Sequence, residues 1–298
     1  MGILAAIMIN EQTVEQELEQ LQSLIILVET YETIAGTSVR RIRSSVLANR
    51  SFHVGLNRMY REITTAYKKE VEYIMKKKKI KTEGAEVSLL KHTKQTVLML
   101  LSANTGLYGD VISRTFTAFL TEIKRTEGDI IIIGRMGRMF FEEIMPGKEF
   151  TYFDFPDNAV SIENLQEISK FSTSYEKVVA FYAVFKNLMT QDVRASIVSG
   201  AELPTEQLED KPIQPYFFEP SLEEVAVFFE KEIFASLLEQ VFQESRLAKL
   251  ASRMVLLDRA IINIETELKR ATLQKQQVRH RTINRHLLDS LSGASLWG

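Results

Sequence analysis

Between Pro220 and Gly293 the chain contains neither proline nor glycine, and most of the residues there are good helix formers. Glu219-Pro220-Ser221, followed by Glu223 and Glu224, predicts a helix start, with Ser221 as N-cap and two acids facing the positive end of the helix dipole. Gly293 predicts the stop. A helix of roughly 70 residues, rising 1.5 Å per residue, is about 105 Å long. No single compact core extends that far, so such a helix needs a partner helix or a sleeve of other chains.

The residues of this stretch carry a seam. Leu247, Leu250, Met254, Leu257, Ile261, Ile264, Leu268 and Ala271 follow one another in steps of three and four. That spacing is the apolar stripe of a left-handed coiled coil. Beyond it the helix turns polar and basic, with Lys275, Arg279, His280, Arg281, Arg285 and His286, and then apolar again, with Leu287, Leu288, Leu291, Leu296 and Trp297. The N-terminal stretch supplies a matching stripe in Val14, Leu18, Leu21, Ile25, Val28, Ala35, Val39, Ile42 and Val46, interrupted by Glu32. No proline occurs before Pro146. Gly36 and Gly55 cost a helix about 1 kcal/mol each against alanine. A small residue such as Gly36 on a seam also lets two helices approach closely. The expectation is that the two chain ends pair antiparallel.

The middle has a different rhythm. Thr96–Leu101 and Asp129–Ile133 are short apolar runs that predict buried strands, and residues 150–155, 177–185 and 193–198 predict three more. Helical spacing occupies 110–126 and 162–171. Alternation of this kind predicts a partly parallel sheet with helices on its faces. The expected organisation is an N-terminal coiled-coil helix over 1–75, an α/β domain with its linkers over 76–219, and a C-terminal coiled-coil helix over 220–298, with no internal repeat.

Composition removes several function classes. Lys and Arg number 37 and Asp and Glu 39, so there is no basic footprint for a dedicated nucleic-acid binder. The absence of cysteine rules out disulfides, a thiol nucleophile and thiolate metal ligands. Met1–Asn10 is apolar but far shorter than the roughly 20 residues a membrane span needs. An acidic helical stretch follows it directly, so it predicts the first turns of a helix, and membrane association is expected only through a partner.

Two glycine pairs invite a phosphate. Gly106-Leu-Tyr-Gly109 and Gly134-Arg-Met-Gly137 each follow a strand and precede a helix, where a glycine turn can cradle an anion. Neither completes a dinucleotide fingerprint or a P-loop, and strand-to-helix turns favour glycine in any case. None of His53, His92, His280 and His286 forms an i, i+4 pair with another, as a helical metal site would require. Lys76–Lys79, with Lys68, Lys69 and Lys81, is a basic run that fits a solvated connector, or a face toward an acidic partner or lipid head groups. The stripe from Lys275 to Arg285 has no interleaved aromatics and suits a carboxylate-bearing protein partner better than nucleic acid.

Six stretches resemble the gamma subunit of F-type ATP synthases, in family order along nearly the whole chain. Ala251-Ser-Arg-Met-Val-Leu-Leu-Asp-Arg-Ala260 with Asn263 resembles the family's "SARMVAM…A…NA". Thr282-Ile-Asn-Arg-His-Leu-Leu-Asp-Ser-Leu-Ser-Gly-Ala294 is similar to its "IT.EL.EI.SGA", and Ser102-Ala-Asn-Thr-Gly-Leu-Tyr-Gly109 to its "S.DRGLCGG". Phe218-Glu-Pro-Ser221 is similar to "YEPS", Val184-Phe-Lys-Asn187 with Thr190-Gln191 to "YNKF…TQ", and Ile34-Ala-Gly-Thr-Ser-Val-Arg-Arg41 falls where the family has "MVAASKLRRA". The resemblance implies an α/β protein in which a long antiparallel two-helix coiled coil, formed by the N- and C-terminal segments, carries an inserted Rossmann-like domain. It implies a rotating shaft inside an alpha/beta catalytic hexamer, its foot on an epsilon-like subunit and a membrane c-ring, peripheral on the cytoplasmic face of a bacterial membrane. It implies no catalytic residue, cofactor or metal in this chain. Arg279, His280 and Arg285 fall on basic or amide positions through which the family meets its partners, and Leu288, Leu291 and Trp297 form the apolar tip. Leu18, Leu21, Ile25, Val28, Leu250, Met254, Leu257, Ile261, Ile264 and Leu268 would be the seam.

The chain departs from the family in several places. The family's N-terminal helix is basic, whereas this one carries Glu11, Glu15, Glu17, Glu19, Glu29 and Glu32. Tyr108 stands where the family has cysteine, Asn104-Thr105 where it has Asp-Arg, and His286 where it has an acid. Two other functions fit the same residues: a static coiled-coil scaffold, and an enzyme that binds a nucleotide on the α/β domain.

Overall fold

The computed structural model describes residues 11–67, 94–198 and 218–295. The chain divides into two compact units, one from Met1–Gly36 with Met254–Gly298 and the other from Thr37–Arg253. Two long helices, α1 (Glu11–Ala66) and α5 (Leu222–Ser295), contribute to both.

The larger unit contains a five-stranded sheet: β1 (Lys94–Leu101), β2 (Asp129–Ile133), β3 (Thr151–Phe153), β4 (Tyr175–Phe185) and β5 (Gln191–Ile197). Its order is β3-β2-β1-β4-β5. The first four strands run parallel, with Val97 beside Asp129 and Thr96 beside Lys177, and β5 is antiparallel to β4. Three shorter helices, α2 (Val111–Ile123), α3 (Arg135–Ile144) and α4 (Ile162–Ser172), complete the layers. The central strands β1, β2 and β4 carry long apolar runs on both sides because both faces are covered. Leu98, Leu100, Ile130 and Ile132 pack on Phe116 and Phe119 of α2 and Phe141 of α3. On the other face Met99, Leu101, Ile131 and Ile133 meet Ile168 of α4 and Phe234, Leu238 and Phe242 of α5. The long helix is therefore a layer of the sheet domain as well as a coiled-coil strand. In the same unit α1 packs on α5 through Val39, Ile42, Leu247 and Leu250, and the Tyr60 hydroxyl donates to Glu230 at 2.7 Å. Burial, and then the neighbouring carboxylate, push the Tyr60 phenol well above its usual range.

In the smaller unit Leu21, Ile25 and Val28 of α1 pack with Leu257, Ala260, Ile261, Ile264 and Leu268 of α5. Val14 and Ala271 are also buried. Lys275 donates to Glu15 at 2.6 Å. Both groups are half exposed, so the pair orients the helices and adds little stability.

Three local expectations need correction. Helix α5 starts as its sequence predicts, with the Glu224 amide donating to Ser221 Oγ at 3.2 Å, but it runs through Gly293 to Ser295. Gly137 does not precede a helix; it lies inside α3. A Cβ there would sit 2.7 Å from Ser102 Cβ, so the glycine serves the close approach of α3 to the end of β1. Gly36 enforces no such closeness, because a Cβ would meet Met254 only at 4.0 Å.

Candidate functional site

Among the described residues of the larger unit, a dense polar constellation lies where α5 crosses the carboxyl ends of β1 and β2. The loop after β1 carries Ser102-Ala-Asn-Thr-Gly-Leu-Tyr-Gly109, and the loop after β3 carries Asp157. The Asp157 carboxylate accepts from the Asn104 amide at 3.0 Å, the Thr105 amide at 2.9 Å and the Thr105 hydroxyl at 2.8 Å. Lys249 enters from α5, donates to the Ser102 carbonyl at 2.7 Å and lies 3.9 Å from Asp157. One turn on, Ser252 Oγ donates to the Tyr108 carbonyl at 2.7 Å. Arg253 donates to Thr105 Oγ1 at 2.9 Å and to the Gly106 carbonyl at 2.8 Å. Its guanidinium lies over the Tyr108 ring at 4.0 Å from the centroid. A planar, permanently charged fork suits this triple engagement better than an ammonium would. Leu107 is held at φ +68°, the left-handed region that a branched side chain rarely adopts. Together these contacts fasten one face of α5 to the sheet.

This joint occupies the place where an open α/β sheet usually seats a ligand, the crevice at the carboxyl ends of the strands where their order reverses. Here that reversal lies between β1 and β4. Ala248 of α5 fills it, packed with Ala103, Ala183 and Tyr108. The start of α3 is equally committed. The Gly134 amide donates to the Phe153 carbonyl at 3.1 Å, Arg135 N to Asn104 Oδ1 at 2.8 Å and Met136 N to the Ala103 carbonyl at 2.8 Å. Those first-turn N–H groups hold the protein's own loops instead of a phosphate. Among the described residues no group of three or more His, Asp or Glu is placed to hold a metal ion, and no helix is long and apolar enough to cross a membrane.

Burial holds the Lys249 ammonium down at about 8 from an ordinary 10.5; attraction by Asp157 opposes this, and repulsion by Arg246 and Arg253 adds to it. The unfolded chain therefore binds this proton more tightly. Across the window from the folded to the unfolded value the unfolded state carries more protons, so stability rises with pH. The contribution is full above the unfolded value and is lost as pH falls through the folded one. Its size across that window is about 3 kcal/mol. Urea melts of the wild type and Lys249→Met over the window should diverge by about that amount in favour of the wild type. Parallel pH profiles would show that Lys249 is not the group responsible.

Of the residues expected to meet partners, Arg279, His280, Arg285, Leu288 and Leu291 all lie on the exposed last stretch of α5; Trp297 is outside the described residues. From Arg279 to Leu291 every side chain described is exposed. The basic run Lys68–Lys81, with His92, also falls outside them. Of the seam residues, Leu21, Ile25, Val28, Leu257, Ile261, Ile264 and Leu268 come together in one cluster. Leu250 packs instead with Val39 and Ile42, Met254 is half-buried near Gly36, and Leu18 is half-buried. Sequence reasoning gave no role to Asp157, Lys249, Ser252 or Arg253. Ser252 and Arg253 lie within the stretch that resembles "SARMV", which was the one signal pointing to them.

A family model described as ATP synthase matches residues 10–296. An ATP synthase gamma chain from a Geobacter species is 22% identical over 302 residues, covering 96% of this chain and 98% of its own length. The ATP synthase gamma chain of Clostridium pasteurianum is 20% identical, covering 95% of this chain and 96% of its own. Among solved structures, a central stalk and c-ring structure of the Tetrahymena thermophila mitochondrial ATP synthase shares the fold. Its TM-score is 0.52 at 19% identity, over 78% of this chain and 99% of that one. With a family model spanning nearly every residue, the chain belongs to the ATP synthase gamma-chain family.

Proposed function

We propose that this chain is the central-stalk rotor of an F-type ATP synthase. It couples proton or sodium passage through a membrane c-ring to ATP synthesis or hydrolysis in an alpha/beta hexamer, and performs no chemistry itself. The observation that carries this reading is α5: one unbroken helix of 74 residues, fastened to the sheet near its middle and ending in an exposed basic stretch. A helix bonded throughout its backbone resists twisting, and the joint at Lys249 and Arg253 gives the sheet domain a grip on it. An epsilon-like subunit and the c-ring would hold the sheet domain, and the hexamer would surround the coiled coil, on the cytoplasmic face of a bacterial membrane.

A second apolar stripe supports a surrounding sleeve. Leu24, Leu27, Tyr31 and Ile34 of α1 follow three-four spacing and are all exposed. Arg279 and Arg285 would hold carboxylates of successive hexamer subunits as the shaft turns. Contacts that differ between shaft orientations bias otherwise equal subunits. In the complex reconstituted with its own alpha and beta chains, Arg279→Ala with Arg285→Ala should lower ATP hydrolysis several-fold and leave assembly intact. Unchanged hydrolysis and rotation would remove this end of α5 from the rotor's work. Loss of assembly alone would favour a static scaffold.

A further inference from the structure

We propose that a cavity beneath the joint, enclosed by α5 and the loops leaving β1 and β3, holds a single monovalent anion of about chloride size. Its volume open to the centre of a water molecule is about 20 Å³. That admits one small particle, for which about 10–15 Å³ suffices. Phe155 and Phe242 form apolar walls, and Ser102, Ser245, Arg246, Lys249 and Asp157 bring the polar groups. Ser245 Oγ and Arg246 Nε are buried without a hydrogen-bond partner in the protein, and the Ser245 residue is 1% exposed. Unpaired buried donors of this kind call for an occupant.

The charge of the lining, together with its donors, selects the occupant. Arg246 and Lys249 can only donate. The oxygens of Asp157 already accept from Asn104 and Thr105. A water could take the Arg246 N–H and give its hydrogens to the unpaired Ser102 and Ser245 hydroxyls, but being neutral it would leave the positive charge of the lining uncompensated. An anion accepts from every side. Charge agrees: two cations face one carboxylate, so the lining carries one excess positive charge. Burial is the main cause of the lowered Lys249 pKa, and repulsion by Arg246 and Arg253 adds to it. The occupant would lock Arg246 and Lys249 of α5 against the sheet, independently of whether the chain rotates.

The test uses the full chain and two probes. Crystals soaked in bromide should show an anomalous peak between Ser245 and Arg246. Melting in potassium chloride should exceed melting in potassium gluconate of equal ionic strength by about 3–5 °C, because gluconate is too large to enter. Ser245→Val, which removes a donor and fills the space, should abolish that difference. A water at the site with equal melting in both salts overturns the proposal. A bromide peak without any chloride dependence of melting means an adventitious ion only and overturns it too. The two wild-type measurements decide the matter even if Ser245→Val fails to fold.

Discussion

Asp157→Ala is expected to cost about 3–5 kcal/mol, the loss typical of breaking a buried ion pair from one side. The carboxylate is 6% exposed and satisfies two backbone amides and a hydroxyl besides facing Lys249. Removing it strands a buried ammonium and leaves the Asn104 and Thr105 amides without an acceptor. The loop then loses the fixed position from which Thr105 and Gly106 engage Arg253. Asp157→Asn keeps the shape but not the charge, and should fall between the two. The double variant Asp157→Ala with Lys249→Met should lose less than the sum of the single losses, by at least about 1 kcal/mol, because it no longer buries an unpaired charge. Urea unfolding of the four chains measures this cycle. A loss below about 1 kcal/mol for Asp157→Ala would mean that water reaches the joint and that α5 is held by apolar packing alone.

That joint shows where the sequence was legible and where it was not. Patterns that repeat along the chain could be read directly. The breaker-free run after Pro220 became α5, and Asp129-Ile-Ile-Ile-Ile133 became β2, because each is written in neighbouring residues. Gly293 misled because glycine costs a helix only about 1 kcal/mol, too little to end a long one whose neighbours still propagate. Gly137 misled because spacing does not reveal what a glycine faces; here it faces Ser102. Asp157 and Lys249 could not be read at all. They meet across a fold that must already exist, and neither lies on any periodic pattern. The crevice was likewise invisible, since nothing local says that Ala248 of a distant helix fills the place where a nucleotide would sit.

Leu257→Asp should unfold the smaller unit while leaving the sheet domain folded. Leu257 is 4% exposed and sits at the centre of the cluster with Val28 and Ile264. Its burial is worth roughly 1.5–3 kcal/mol, and a carboxylate in the same place adds a desolvation cost of similar size. The expected loss is therefore about 3–5 kcal/mol. Among the described residues two helices form this unit, with no third layer to take up the strain, and isolated helices have little stability of their own in water. Ile262, on the exposed face of the next turn at 55% exposure, is the control. Ile262→Asp removes almost no buried surface and should change stability by less than about 0.5 kcal/mol. Circular dichroism should show helix loss in Leu257→Asp without loss of the strand signal. Amide exchange should rise over residues 254–271 and stay low over β1 and β4. If the two aspartate variants melt alike, the Val28–Leu257–Ile264 cluster is not what holds the paired ends together.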